Sequence, residues 1–292
     1  MANTQALKGR IRSVKSTKQI TKAMQLVAAS KMRRAQDATK ASAPYSQAAQ
    51  ELLGALSSHA SVSDHPLFAV RPVKNRLLIV LASDKGLAGA FNSNILRLFA
   101  GEMKADRDAN VGTSSITIGR KAAQFAARIK GTNVLGSYQD LADKPDGREL
   151  YTILDTAKNL FVSGEVDAVD LVYTKFISGA NQQAQVTRIL PAGFDVSESE
   201  TSKAAAQDVT YEPSATEVLD GVAYRLIGAQ IYQALLESRA SEYSMRMVAM
   251  KNATDNASDL IDDLTLAMNK ARQGAITQEL AEISGGVEAL ND

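Results

Sequence analysis

From residue 214 to residue 284 the chain contains no proline. Apolar or small residues recur there at alternating steps of three and four: Leu219, Val222 and Leu226 early, then Ala257, Leu260, Leu264, Ala267 and Ala271. The spacing predicts one very long helix. Ser214 with Glu217 forms a capping box at its start, and Gly285-Gly286 supplies the stop. At about 1.5 Å per residue such a helix reaches roughly 100 Å. A domain of ~140 residues has a radius of gyration of only about 14 Å, so most of the helix has to project from its anchor and needs a partner along its length.

The opposite end of the chain offers that partner. Residues 3–57 read as a helix interrupted only by Pro44, with Leu7, Ile11 and Val14 and then Ile20, Met24 and Val27 on its apolar side. The seam shifts between those two sets. Ala28-Ala29-Ser30 is small enough for another backbone to approach closely, and Gly9 costs the helix about 1 kcal/mol relative to alanine. The simplest packing is a long antiparallel two-helix coiled coil made by the N- and C-terminal segments.

The middle is of a different kind. Residues 58–75 form a linker into a central Rossmann-like α/β domain over 76–193, and residues 194–213, rich in Ser, Glu and Ala, connect it to the C-terminal helix over 214–292. An apolar run at 76–81 has buried-strand length, and a glycine loop, 83–91, leads to a helix capped near Asn92 or Ser93. Strands follow at 115–118 and 134–135, helices at 121–129 and 149–162, and a hairpin over 168–190 turns at Ser178-Gly179-Ala180-Asn181. Strand–helix alternation makes the sheet mostly parallel with an antiparallel finish.

Charge is unevenly placed on a chain whose net charge is only +1. Lys8, Arg10, Arg12, Lys15, Lys18, Lys22, Lys31, Arg33, Arg34 and Lys40 precede residue 41, against the single acid Asp37. The far end carries Asp255, Asp259, Asp262, Asp263, Glu279, Glu282 and Glu288. An electrostatically patterned partner suits that asymmetry. The basic turn at Lys31, Arg33 and Arg34 is a poor nucleic-acid site, because aromatics make up 5% of the chain and tryptophan is absent. The absence of cysteine excludes thiolate metal sites and disulfides, and with only His59 and His65, histidine metal sites and histidine acid–base chemistry are poorly supplied. No apolar run spans a bilayer, and the basic N-terminus does not read as a secretory signal.

Two stretches stand out locally. The glycine loop matches neither G-x-G-x-x-G nor the P-loop pattern, so Gly86 and Gly89 are expected to allow a tight turn rather than hold a nucleotide, with Asp84 and Lys85 a surface ion pair. Residues 251–259 lack large apolar side chains inside a predicted helix, which points to a partner needing hydrogen bonds.

Three segments together resemble the gamma-subunit family of the F-type ATP synthase, in its bacterial form. The first runs Leu7-Lys8-Gly9-Arg10-Ile11 through Thr17-Lys18-Gln19-Ile20-Thr21-Lys22-Ala23-Met24 to Val27-Ala28-Ala29-Ser30-Lys31-Met32. The second is Arg246-Met247-Val248-Ala249-Met250-Lys251-Asn252-Ala253-Thr254-Asp255-Asn256, and the third Asn269-Lys270-Ala271-Arg272-Gln273-Gly274-Ala275-Ile276-Thr277-Gln278-Glu279-Leu280. Two departures are Gly274, where many relatives have serine or alanine, and Ala88 in place of a cysteine.

The resemblance implies a non-catalytic rotor shaft without cofactor or metal. It would stand inside the ring of alpha and beta subunits, with the α/β domain beside the epsilon subunit on the membrane c-ring. The complex would then lie peripherally on the cytoplasmic side of the cell membrane. By position, Met24, Lys31, Arg33, Arg34, Arg272 and Gln273 would meet beta-subunit loops, and Tyr211 and Glu212 the polar loops of the c-ring. Leu280, Ile283 and Val287 would form an apolar tip. Neither nucleic acid nor a small-molecule substrate is expected.

Overall fold

The computed structural model describes residues 2–57, 65–129, 131–142, 148–193 and 215–291. Helix α1 (Ala2–Ser57) is followed by a 3-10 turn (Pro66–Phe68), β1 (Asn75–Leu81), α2 (Phe91–Asp108), β2 (Gly112–Ile118), α3 (Arg120–Ala126) and β3 (Asn133–Tyr138). Then come α4 (Arg148–Val162), β4 (Ala168–Phe176), β5 (Gln182–Leu190) and α5 (Ala215–Asn291). The chain divides into two compact units, one of Met1–Ala28 with Arg246–Asp292, the other of Ala29–Met245, and α1 and α5 contribute to both.

In the larger unit the sheet order is β3-β2-β1-β4-β5, parallel throughout except for β5, which pairs antiparallel with β4. This is the mixed α/β sheet read from the sequence. The hairpin turns where expected, with Ser178 N–H donating to Asn181 O at 2.9 Å. β1 is apolar on both faces because both are covered: Leu77, Ile79 and Leu81 pack with α4, α5 and the end of α1, while Leu78 and Val80 pack with Ile95 and Phe99 of α2. Pro44 lies inside α1 without ending it. A proline there costs about 3 kcal/mol, and burial of Ala49, Leu53 and Leu56 in the core beyond it offsets that.

Several local expectations give way to tertiary contacts. α2 starts after Ala90 with no side-chain cap, and Asn92 instead accepts from Ser83 N–H at 3.1 Å. Gly89 is left-handed at φ 55°, as a tight turn requires, but the loop's other left-handed residue is Leu87 at φ 61°, not Gly86. Asp84 accepts the N–H of Arg120 at 2.9 Å, supplying α3 with the acceptor its own N-cap, Gly119, lacks. β3 is a six-residue strand, longer than the apolar pair Val134-Leu135. α5 does not stop at Gly285-Gly286 but continues to Asn291, since glycine permits a left-handed turn without imposing one. Ser214 lies outside the described residues.

One polar face of α5 has a purpose the periodicity did not reveal. β1 stops pairing with β4 at Val172. Just beyond, Thr174 N–H donates to Ser238 Oγ at 3.1 Å, Ser241 Oγ donates to Thr174 O at 3.5 Å and Ser244 Oγ donates to Gly179 O at 2.6 Å. Serines three residues apart on a helix thus stand in for a missing strand and cover an exposed edge.

Glu237, beside this face, receives Gln233 Nε2–H at 3.0 Å on one oxygen, and its other oxygen is buried with no hydrogen-bond partner among the described residues. Burial raises its pKa above the ordinary carboxylate value, against the opposing pull of Gln233, Lys175 and the Phe176 N–H. A raised folded pKa means stability is greatest below the unfolded value of about 4.3 and falls as pH rises through the folded one. Glu237→Gln is therefore expected to raise the melting temperature at pH 7 and to lose that advantage below about pH 4. Thermal melts of both proteins across pH check this; a parallel offset at every pH would contradict the sign.

Candidate functional site

The smaller unit is a helix pair, and its seam can be followed residue by residue. On α1 the buried or partly buried positions Leu7, Ile11, Val14, Lys18, Thr21, Gln25 and Ala28 form a line stepping by four and three, with Thr4 and Met24 also partly buried. On α5 the line runs Met250, Thr254, Ala257, Ile261, Leu264, Met268, Ala271 and Ala275, stepping the same way, with partly buried neighbours such as Ala253, Ser258 and Thr265 beside it. This is the 3.5-residue repeat of a coiled coil. Contacts in the larger unit show that α1 and α5 run antiparallel: Lys31 Nζ stands 5.3 Å over the ring of Tyr243, and Ser42 Oγ donates to Gln233 Oε1, higher numbers on one helix meeting lower ones on the other.

The seam is not the one periodicity alone picked out. Ile20 and Val27 are 57% exposed and Leu26 60%, so the stripe leaves Ile20 and Val27 in solvent and continues through Lys18 and Thr21, with Met24 partly buried. Likewise Leu260 and Ala267 lie outside it, and Ile261 and Met268 within. Polar seam positions are accommodated by pairing. Thr21 and Thr254 bring their hydroxyls to 2.8 Å, and each hydroxyl reaches a carbonyl one turn back, Lys18 O at 3.1 Å and Met250 O at 2.8 Å. One hydroxyl can donate to its carbonyl while accepting the other's proton, so both are satisfied. The polar stretch 251–259 thus meets α1 at Thr254, while Lys251, Asn252, Asp255 and Asn256 remain exposed.

Placed on this frame, the residues singled out from the sequence fall on its outside. Met24 is partly buried at the flank of the seam, beside the exposed Ile20, Leu26 and Val27. Lys31 rests on Tyr243, and Arg33 and Arg34 are exposed. Arg272 and Gln273 are exposed next to the seam residue Ala271. Leu280 and Ile283 are 62% and 64% exposed. Tyr211 and Glu212 lie outside the described residues, as does the side chain of Val287. Ile20, Leu26 and Val27 leave a group of large apolar side chains in solvent within about two turns of α1. No helix among the described residues is long and apolar enough to cross a membrane.

Sequence reading missed one constellation altogether. On the α2 side of the sheet, Arg76 bonds Glu102 at 2.8 Å, Asp106 at 3.0 Å and Asp170. Arg188 closes the group with bonds to both oxygens of Asp170 at 2.7 and 3.0 Å, and Thr113 donates to Asp106 at 2.9 Å. Burial pulls the Arg76 pKa down, but the surrounding carboxylates outweigh it and hold the guanidinium above its ordinary value. These residues come from four separate strands and a helix, so no spacing announces them. They hold the sheet to α2.

Known proteins resemble this chain over its whole length. The family model described as ATP synthase matches residues 3–290. The ATP synthase gamma chain of Stenotrophomonas maltophilia (strain R551-3) is 42% identical over 291 residues, covering 99% of this chain and 100% of the relative. That of Acidithiobacillus ferrooxidans (strain ATCC 53993) is 41% identical over 290 residues, with the same coverage. Among solved structures, the rotor of the Euglena gracilis mitochondrial ATP synthase in rotational state 1 has a TM-score of 0.67 at 17% identity, covering 94% of this chain and 99% of that one. The Tetrahymena thermophila mitochondrial ATP synthase central stalk and c-ring gives 0.62 at 24% identity, covering 80% and 99%.

Proposed function

This chain belongs to the ATP synthase gamma-chain family, and on that premise we propose that it is the central-stalk rotor of an F-type ATP synthase. Its partners are then the alpha and beta subunits of the catalytic ring, the epsilon subunit and the membrane c-ring. The chain carries no catalytic group of its own and sits peripherally on the cytoplasmic face of the membrane through the complex.

Mechanically, the reading needs only a surface that differs from side to side. Proton flow turns the c-ring and the helix pair turns with it. Each beta site then meets a different part of the pair's surface, which changes the relative free energies of that site's open and closed states. Met24 and the exposed Ile20, Leu26 and Val27 are the surface we assign to the beta subunits' moving loops, with Lys31, Arg33 and Arg34 attracting their acidic side chains. Arg272 and Gln273 would engage a beta loop farther along. Tyr211 and Glu212 would meet the c-ring, and Leu280, Ile283 and Val287 would form a tip with few directional bonds to break on turning.

The observation that carries this reading is the end-to-end match to gamma chains, including the helix segments whose outward residues the internal seam does not use. Complementation tests it: the chain, supplied to cells lacking their own gamma chain, should co-purify with alpha and beta subunits and restore coupled ATP synthesis. Met24→Lys places a further cation where a loop has to pass, and is expected to cut coupled synthesis several-fold while leaving assembly intact. Normal coupling in assembled Met24→Lys complexes would remove Met24 from the contact.

A further inference from the structure

The larger unit contains a groove of about 530 Å³ between α1, α4 and α5, within the range that takes small ligands. Its floor is apolar, with Leu154 and Ile231 buried and Gly228 and Ala229 adding almost no side chain. A Cβ at Gly228 would stand 3.3 Å from Leu154, so α4 and α5 approach closely there and open the space above. The walls are phenol rings. Tyr151 and Tyr224 stack at 6.3 Å with planes 10° apart, and Tyr45 stands on the opposite helix, 58% exposed.

Polar groups at the rim fix what such a space accepts. Tyr224 donates its hydroxyl proton to Asp155 at 2.7 Å, and desolvation, with the bond to that carboxylate, pushes its pKa up to about 12. The ring is therefore neutral and held in place at any physiological pH. Lys158 covers the Tyr224 ring at 5.6 Å. Arg225, exposed at the same rim, has no ion pair among the described residues. Stacked aromatic walls favour a flat ring, and an exposed guanidinium favours an anion, to which it can donate two parallel hydrogen bonds.

We propose that this groove is a binding site for a small aromatic anion, its ring lying against Tyr151 and Tyr45 and its sulfonate or carboxylate on Arg225. The site belongs to the α/β unit and makes no use of the residues assigned above to the catalytic ring.

Binding of 1-anilinonaphthalene-8-sulfonate to the full-length chain, followed by fluorescence and calorimetry, provides the test. N-phenyl-1-naphthylamine serves as the uncharged control of the same ring system. The wild-type chain should show one saturable site that prefers the sulfonate about tenfold, the size of a charge-assisted hydrogen bond. Arg225→Gln should erase that preference without lowering the melting temperature, since the side chain is exposed. Ala229→Phe should remove the site by filling it, while Leu266→Ser, an exposed apolar position of α5 outside the groove, should leave it untouched. Equal affinity for both probes in the wild-type chain, or sulfonate binding unaffected by Arg225→Gln, overturns the proposal. So does loss of the site when the chain is assembled with its partner subunits, which would make the groove a subunit seat.

Discussion

Asp170→Ala is expected to lower the unfolding free energy by about 3–5 kcal/mol, the cost of breaking an ion group by removing its buried, shared carboxylate. Asp170 is 1% exposed and its two oxygens hold both Arg76 and Arg188. Removing it leaves Arg76 with Glu102 and Asp106 but takes from Arg188 the two bonds it makes to the Asp170 oxygens. Neither guanidinium can shed its charge, because arginine stays protonated at any pH the fold survives. Urea unfolding, with the dependence on denaturant unchanged, measures the loss; a change below about 1 kcal/mol would mean that water reaches the cluster and solvates it. A second variant separates charge from packing. Replacing Asp170 and Arg188 together by leucine and methionine removes one charge with its counter-charge and leaves Arg76 paired with Glu102 and Asp106, and such exchanges are often neutral or stabilising by about 1–4 kcal/mol. The single variant should thus be far worse than the double. The opposite order would show that the ion group stabilises the fold outright.

Thr21→Cys with Thr254→Cys should close a disulfide almost completely on mild oxidation. The native hydroxyls meet at 2.8 Å across a separation of 233 residues, and the chain has no other cysteine to compete. Closing so long a loop raises stability by at most about 5 kcal/mol through loss of unfolded-state entropy. A faster band on a non-reducing gel and a higher urea midpoint are the readouts in the purified chain. Assembled complexes give the functional readout. Both cysteines sit in one rotor, so oxidised complexes are expected to keep turning over ATP at the rate of reduced ones. Arrest on oxidation, reversed by dithiothreitol, would mean that α1 and α5 slide on one another during the cycle, and the rigid-shaft reading would fall.

The two predictions rest on contacts of different legibility. Length, proline spacing and the near absence of large apolar side chains at 251–259 were open to inspection, because helix formation and its interruption depend on residues within a few positions of one another. The five strands could be located for the same reason, and their parallel order followed from their alternation with helices. The seam was only half legible. Counting apolar residues selects Ile20 and Val27, since a polar residue carries no hydrophobic signal. The structure instead buries Thr21, because Thr254 completes its hydrogen bonding from the other end of the chain. The groove was not legible at all, as Tyr45, Tyr151 and Arg225 sit on three helices with no common spacing.

The sequence by itself therefore determined which segments are helix and which strand, that a tight turn at Gly89 follows β1, and which gamma-chain segments the termini match. Only the tertiary structure decided which side of each long helix faces inward, that serines of α5 complete the edge of β4, and that Asp170 holds two arginines. Local preference is a property of neighbours along the chain. The choice of buried face is made by whichever distant group can fill the space or satisfy the hydrogen bond, and that group is named by the fold rather than by its position in the sequence.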